Sequence, residues 1–168
     1  MSDAAAFEFM MRRRVEPIGD GSYKLDLAEE ERALLRTLPN QLRDLLETDD
    51  RSDPAVQRLF PAAYRDDEER EAEYQQLMRG DLRDRRLAAL ALVEESIDLK
   101  VVNEEQLVAW MGAINDLRLV LGTRLDVTED LYEDGLPADD PRQSAFELFM
   151  YLGVLMEQFV EALSGDFG

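Results

Sequence analysis

The chain has 168 residues, and 38 acidic side chains against 19 basic ones give it a formal net charge of −19 at pH 7. It contains no histidine and no cysteine, which excludes catalysis by imidazole or thiolate and any metal site built from soft ligands. The length fits one domain, 1–168, and an apolar content of 45% predicts a folded body with its acidic residues on the outside.

The first 27 residues alternate between apolar and polar side chains as β-strands do. Two apolar sets occupy every other position: Phe7, Phe9 and Met11, then Tyr23, Leu25 and Leu27. Between them, residues 17–22 read Pro-Ile-Gly-Asp-Gly-Ser, and the glycines allow the positive φ angles of a tight turn. The sequence therefore predicts a two-stranded antiparallel hairpin over about 6–27, packed against helices because two strands alone are only marginally stable.

From Ala28 onward the apolar period becomes helical. It predicts helices at about 28–47, 54–60, 64–100, 104–121 and 141–164. Asp53 followed by Pro54 is a typical helix start, and Asn103 with Gln106 forms a capping box for the fourth helix. The predicted fold class is mainly α: an orthogonal or irregular helical bundle of about five to six helices with an N-terminal two-stranded β-hairpin.

Four finer expectations concern single elements. Pro39 lies inside the first helix and predicts a kink or a restart there. The tract 64–100 contains Gly80 and is either one long helix or two abutting helices. The last helix is apolar around much of its circumference, which predicts that it is the central and most buried element. Residues 123–139 are rich in Asp, Glu, Gly and Pro and predict a loop.

Without histidine or cysteine, an enzyme would need carboxylates that hold Mg²⁺ or Mn²⁺. One set has the spacing of the all-helical nucleotide pyrophosphohydrolases, in which carboxylates on two helices grip the metal: Asp67, Glu68, Glu71, Glu95 and Asp98. In a chain this acidic, such a spacing arises by chance about once or twice, so a solvated acidic helix face explains the same residues. A carboxylate-only, Mg-dependent pyrophosphohydrolase is kept as an alternative.

Two groups of arginines stand out against the acidic background. Arg79, Arg83 and Arg86 fall on one helix face and form either a basic patch for an acidic partner or a stripe that neutralises adjacent acidic helices. Neutralisation is the favoured interpretation of this stripe. The run Arg12, Arg13 and Arg14 is either a small basic hook or, as we favour, a solvated strand end or a docking strip for acidic neighbours.

Polar side chains interleave with the apolar stripe of the fourth helix near its end. They are Asn115, Asp116, Arg118 and Arg124. Because half-buried polar groups need partners, this set predicts a fixed hydrogen-bonded network inside the fold. A partner-binding patch is the second interpretation.

The same segment resembles the hallmark of a known family. Trp110 followed by residues 114–125 (INDLRLVLGTRL), together with residues 53–67 (DPAVQRLFPAAYRDD), is similar to motifs of an actinobacterial family of unknown function usually encoded beside the ClpS adaptor. Its members are called actinomycete oxidative-stress regulators. The resemblance implies a cytoplasmic transcriptional regulator that acts with a stress sigma factor and has no established catalytic residues. Redox sensing in the family is tied to a cysteine pair, which this chain lacks.

Charge and resemblance together predict a non-enzymatic, acidic, protein-binding regulator of stress-related transcription or, through the gene neighbourhood of the family, of proteolysis. Its partner is expected to be a protein with a basic surface, and the resemblance implies a sigma factor or RNA polymerase. The negative charge disfavours direct high-affinity nucleic-acid binding and anionic membranes, and no cofactor is implied. A DNA mimic that blocks a nucleic-acid-binding protein stays open as a further alternative. The N-terminus has no basic leader and no long apolar run occurs, which predicts a soluble, cytoplasmic protein.

Overall fold

The computed structural model describes residues 3–165, which form seven helices and three short strands. In chain order the elements are α1 (Asp3–Met11), β1 (Val15–Gly19), β2 (Ser22–Leu25), α2 (Glu29–Thr48), α3 (Pro54–Leu59), α4 (Glu68–Ser96), β3 (Val101–Asn103), α5 (Glu104–Leu125), α6 (Glu129–Asp134) and α7 (Gln143–Ser164). The mainly α class and the N-terminal hairpin are confirmed, with seven helices in the described range instead of five to six. Within the same range, no helix combines the length and the apolar character needed to cross a membrane.

The first predicted strand is wrong, because the residues that carry its alternating pattern form helix α1. Phe7, Phe9 and Met11 are all exposed, so no burial of these side chains stabilises a strand at these positions. Three consecutive alanines at the start of α1 favour a helix instead. The hairpin begins only at Val15, which is buried and pairs with Leu25 of β2.

The hairpin gains a third strand from a distant part of the chain. Its turn lies at Gly19, Asp20 and Gly21, which all have positive φ, as the glycine-rich turn sequence predicts. The added strand β3 pairs antiparallel with β2, so that Tyr23 lies opposite Val102, and the sheet order is β1-β2-β3. Three residues are too few to show a period of two, which is why β3 was not predicted.

The helix α2 runs without interruption through Pro39, so the restart predicted at this residue does not occur. Pro39 is buried and lines the same small cavity as Leu90 and Val93 of α4. Its missing N–H removes one helical hydrogen bond, and the burial of the ring against α4 offsets part of that loss.

The helix α4 is one continuous helix of 29 residues, about 43 Å long at a rise of 1.5 Å per residue. The tract 64–100 is therefore one helix and not two. It begins at Glu68 because the Asp67 carboxylate accepts a hydrogen bond from the N–H of Arg70 at 3.1 Å and caps the helix there. Its second half packs into the core, where Leu90 and Val93 are buried.

The central element is α5 and not α7. Of the main packing contacts, α5 touches α2, α3, α4, α7, β2 and β3, whereas α7 touches α1, α5 and β1. Trp110 of α5 is fully buried, and its indole N–H donates to the Ser96 hydroxyl of α4 at 2.7 Å. The apolar circumference of α7 was misleading because part of it, including Val160, stays exposed.

The predicted loop 123–139 contains helical structure at its N-terminal end and in its middle. The helix α5 continues to Leu125 and ends where Asp126 takes a left-handed conformation with φ 50°. Residues Glu129–Asp134 then form α6, which the Thr128 side chain caps. Six residues are too short to show a helical period, so α6 was hidden in an acidic stretch.

Candidate partner-binding groove

The carboxylates of the metal alternative do not converge. All five lie on α4 or at its two ends: Asp67, Glu68 and Glu71 at the start, Glu95 and Asp98 at the finish. The two groups are about 40 Å apart along a helix that rises 1.5 Å per residue, so they cannot grip one metal ion between two helices. Among residues 3–165, no group of three or more acidic side chains is arranged to hold a metal ion. The structure thus contradicts the two-helix site for this set.

Two of these carboxylates stabilise local structure instead. Glu71 accepts hydrogen bonds from the N–H groups of Ala63 at 3.0 Å and Tyr64 at 2.8 Å, and so fixes the loop that precedes α4. Asp98 pairs with Arg36 of α2. Both residues are therefore explained by the packing of α4 against its neighbours.

The arginine stripe of α4 is used inside the fold. Arg79 is buried and pairs with Asp49, the residue that ends α2. Its guanidinium carbon lies 4.1 Å from the centre of the Phe60 ring. Arg83 is half-buried beside them. This part of the stripe joins α4 to the segment between α2 and α3 and does not open as a receptor.

Asp116 is the buried carboxylate of α5, and it accepts a hydrogen bond from Nε of Arg86 at 3.0 Å. Burial raises the pKa of Asp116 above its ordinary value, although the charge of Arg86 acts in the opposite direction. In the unfolded chain Asp116 has its ordinary, lower pKa. The free energy of unfolding therefore falls as the pH rises from the unfolded-state pKa through the folded-state pKa of Asp116. The Arg86–Asp116 pair fixes α5 against α4.

The other polar residues of the predicted network lie in separate places. Arg124 donates two hydrogen bonds, of 3.2 Å and 3.0 Å, to the Asp53 carboxylate. Arg118 lies over the Phe149 ring at 4.7 Å. Asn115 is exposed. The structure therefore shows two separate ion pairs and one cation–ring contact, and it does not bring the four residues into one network.

An open groove lies where α2, α3, α5 and α7 meet, and its volume is about 640 Å³. Its floor is aliphatic: Leu38, Leu42, Leu45, Val56, Leu117, Val120, Leu121, Ala145 and Leu148. Most of these side chains also belong to the hydrophobic core, so the fold itself holds the floor in place. A floor of this kind suits apolar side chains of another protein.

Charged residues lie at the edge of this groove. Arg124 neutralises Asp53, whose pKa it holds below the ordinary value. The Asp50 carboxylate accepts hydrogen bonds from the N–H and the hydroxyl of Ser52 and has no ion pair among the described residues. Asp44 is exposed and also has no ion pair there. The edge thus carries a surplus of negative charge. An apolar floor with an acidic edge is complementary to an amphipathic segment that carries Lys or Arg.

The loop at the acidic edge is fixed at both ends. Asp49 closes α2 with a φ of 49°, and its carboxylate is held by Arg79. Asp53 opens α3 by accepting a hydrogen bond from the N–H of Ala55 at 2.9 Å while it holds Arg124. Because the loop is already ordered, less conformational entropy is lost when a partner binds.

Every residue of the groove lies inside a region that a known family shares. The family is described as a domain of unknown function, DUF2017, and its model matches residues 11–163. The chain belongs to this family. The match spans both motifs on which the sequence resemblance rests, so that resemblance is confirmed.

Known relatives of this DUF2017 chain include proteins named for oxidative stress. The oxidative stress regulator AosR of Mycobacterium tuberculosis (strain H37Rv) is 29% identical over 192 aligned positions, which cover 92% of this chain and 88% of the relative. The putative oxidative stress regulator AosR of Mycobacterium leprae (strain TN) is 28% identical, with 90% and 87% covered. No solved structure matches the chain.

A buried ion pair of this DUF2017 chain lies outside the predicted site residues. Arg14 is fully buried and pairs with Glu31 of α2, which is also buried. Arg12 pairs with the same carboxylate, and the Tyr151 hydroxyl of α7 donates to it at 2.9 Å. Two of the three consecutive arginines thus bind an acidic neighbour, and the interpretation as a basic hook is wrong for both of them.

The Glu31 carboxylate is charged at neutral pH. Burial alone would raise its pKa, but hydrogen bonds from the Ala28 N–H (2.8 Å), Arg14 and Tyr151 outweigh burial and hold the pKa below the ordinary 4.5. Burial and the nearby Glu31 charge raise the pKa of Tyr151. One feature of the sequence could have indicated a structural role for this carboxylate: Glu31 is the third residue of α2, a position where capping carboxylates are common.

Proposed function

We propose that this chain is a non-enzymatic regulator in a stress response, which acts on transcription by binding a basic surface of a sigma factor or RNA polymerase. The observation that carries the proposal is the groove with an aliphatic floor and an acidic edge, in a chain of net charge −19. The names of the relatives support the setting of oxidative stress.

The groove favours one kind of partner segment, an amphipathic basic helix. Its apolar side chains would contact Leu45, Leu121 and Leu148, and its flanking Lys or Arg residues would meet Asp44 and Asp50. The aliphatic contact supplies most of the affinity, whereas the complementary charges speed association and fix the orientation. The same charges repel DNA, so an effect on a promoter is exerted through the bound protein.

A non-catalytic role also fits the ionisable groups of the chain. The buried carboxylates Glu31 and Asp116 are each engaged by arginines inside the fold. The chain has no thiol, so it cannot record an oxidative signal in a disulfide of its own.

Direct binding to the transcription machinery of the source organism tests the proposal. The full chain is immobilised, and core RNA polymerase, holoenzyme and separate sigma factors are passed over it at about 50 mM and about 300 mM salt. We expect at least one of them to bind at the lower salt concentration and to bind more weakly at the higher one, because salt screens the charge pairs. If none of them binds at low salt, the proposed function is wrong.

The variant Leu148→Arg tests whether the groove is the binding site. It places a cation on the aliphatic floor, and we expect the affinity for the bound partner to fall by about tenfold or more. The control Val108→Arg adds the same charge at an exposed position of α5 outside the groove, and we expect a change of less than about twofold. Equal losses in both variants would indicate attraction by net charge alone. Competition by duplex DNA for the same partner would favour the DNA mimic.

A further inference from the structure

A second groove lies between the end of α3, one face of α5 and Phe149 of α7. Its volume is about 440 Å³, and it shares no lining residue with the partner-binding groove. Its polar lining consists of Arg58, Asn115, Arg118, Thr123 and Asp126. This volume lies within the range of small-molecule sites. The lining brings two cations together on a protein whose charge is strongly negative.

Arg118 has no carboxylate partner among residues 3–165. Its guanidinium is held over the Phe149 ring at 4.7 Å, and its Nε is buried without a hydrogen bond. The two terminal nitrogens are not buried and bind no group of the described residues, which leaves them able to donate into the groove. Gly153 leaves the space for this arrangement, because a Cβ at that position would lie 3.2 Å from Nη2 of Arg118.

Arg58 brings a second cation to the same groove. It lies in the last turn of α3 and is exposed, and its side chain makes no hydrogen bond, ion pair or ring contact with any residue that the structure describes. Arginines elsewhere in the chain commonly pair with a carboxylate, as Arg79, Arg86 and Arg124 do. Since acidic side chains are twice as numerous as basic ones, two unpaired arginines at one groove indicate that an external anion supplies their counter-charge.

We propose that this groove binds the phosphate group of a small anionic ligand, with Arg58 and Arg118 as the two charged donors. A guanidinium presents N–H groups in a fork that matches the oxygens of a phosphate. The side-chain amide of Asn115 adds a neutral donor on the same face of α5. The remaining volume, beside Leu119 and Val127, accommodates the rest of the molecule.

Asp126 is the carboxylate in the lining and opposes an anion. Two guanidiniums against one carboxylate still leave the lining positive. The net charge of the protein repels anions at a distance, but physiological salt screens such repulsion beyond about 8 Å, so the direct contacts decide. Binding is therefore expected to be saturable but of millimolar strength for phosphate alone.

Titration of the isotope-labelled full chain with inorganic phosphate, followed by NMR at constant ionic strength and neutral pH, tests this site. We expect saturable shifts that cluster at Arg58, Asn115 and Arg118. Arg58→Ala should weaken phosphate binding about tenfold, whereas Arg65→Ala, which removes the same charge from an exposed arginine outside the groove, should leave it unchanged. Asp126→Asn should strengthen binding, because it removes the repulsion and asparagine tolerates the left-handed backbone.

Shifts that fail to saturate would overturn the proposal, as would equal affinities of Arg58→Ala and Arg65→Ala. An Asp126→Asn variant that binds phosphate more weakly than wild type would also contradict it. Acetate, titrated under the same conditions, separates phosphate from carboxylate recognition. Tighter binding of acetate than of phosphate would show that the assignment to phosphate is wrong.

Discussion

The substitution Glu31→Gln is expected to lower the free energy of unfolding by about 3–5 kcal/mol. It leaves the guanidinium of Arg14 fully buried without a counter-charge, and the loss of one partner from a buried ion pair has a cost of this size. The Tyr151 hydroxyl loses its anionic acceptor as well. Urea denaturation followed by circular dichroism measures the change.

Glu30→Gln is the matched control on the same helix turn. Glu30 is exposed, so its replacement removes only the favourable interaction of a carboxylate with the N-terminus of α2. That interaction contributes about 0.3–1 kcal/mol. A loss of similar size in both variants would attribute the effect to the helix terminus and not to the buried pair.

The destabilisation by Glu31→Gln should also depend on pH, with a defined sign. The pKa of Glu31 is lower in the folded protein than its ordinary value of 4.5. The contribution of the ionised Glu31 to the free energy of unfolding is therefore complete above pH 4.5 and is lost as the pH falls through the folded-state pKa. The difference in unfolding free energy between wild type and variant should therefore be full at neutral pH and should shrink in acid. A difference that stays constant well below pH 4.5 would contradict this account.

The substitution Phe159→Ala is expected to lower the free energy of unfolding by about 3–5 kcal/mol. Phe159 of α7 is fully buried, and its ring centre lies 6.2 Å from that of Trp110, in an edge-on contact with α5. Truncation leaves a cavity between the two helices and removes the aromatic contact. Trp110 is the single tryptophan of the chain, so its fluorescence reports both the local packing and the unfolding transition.

Val160→Ala provides the comparison for this cavity. Val160 follows Phe159 on α7 but is 46% exposed, so the loss should stay below about 1 kcal/mol. The fluorescence of Trp110 should shift in Phe159→Ala and not in Val160→Ala. Equal stability of the two variants would mean that the contact between α5 and α7 does not depend on Phe159.

The long helices were predictable because each carries enough turns to show its apolar period. The start of α5 was predicted to the residue: Asn103 and Gln106 cap each other's N–H groups at 2.8 Å and 2.9 Å. Three of the short elements, α1, β3 and α6, were missed or misassigned, since they depend on what packs against them and not on their own pattern. The equally short α3 was predicted because Asp53 and Pro54 mark its start. The spacing of the carboxylates along the sequence also does not show whether they lie on one helix or on two. For this reason Asp67 and Asp98 were assigned to one alternative metal site, although they lie at opposite ends of α4.

The candidate groove was less predictable than the helices. Its floor forms only when α2, α3, α5 and α7 pack together, and of the predicted site residues Arg124 alone lies at its edge. The buried Arg14–Glu31 pair was also not predictable from the sequence. Nothing in three consecutive arginines tells that Arg14 is enclosed while Arg13 stays exposed, because the choice depends on where Glu31 lies in the folded chain.

The Arg14–Glu31 pair joins the C-terminal end of α1, which carries a partial negative charge, to the N-terminal end of α2, which carries a partial positive charge. Arg14 donates to the carbonyls of Phe9 at 2.8 Å and Met10 at 3.0 Å, at the negative end of α1. Glu31 accepts from the Ala28 N–H at the positive end of α2. Since α1 has no fully buried side chain and Met10 packs only partly buried against the hydrophobic core, we infer that this junction of charges and dipoles is a main anchor of α1. We therefore expect α1 to open as a local unit, with amide hydrogens that exchange with solvent ahead of those in the core.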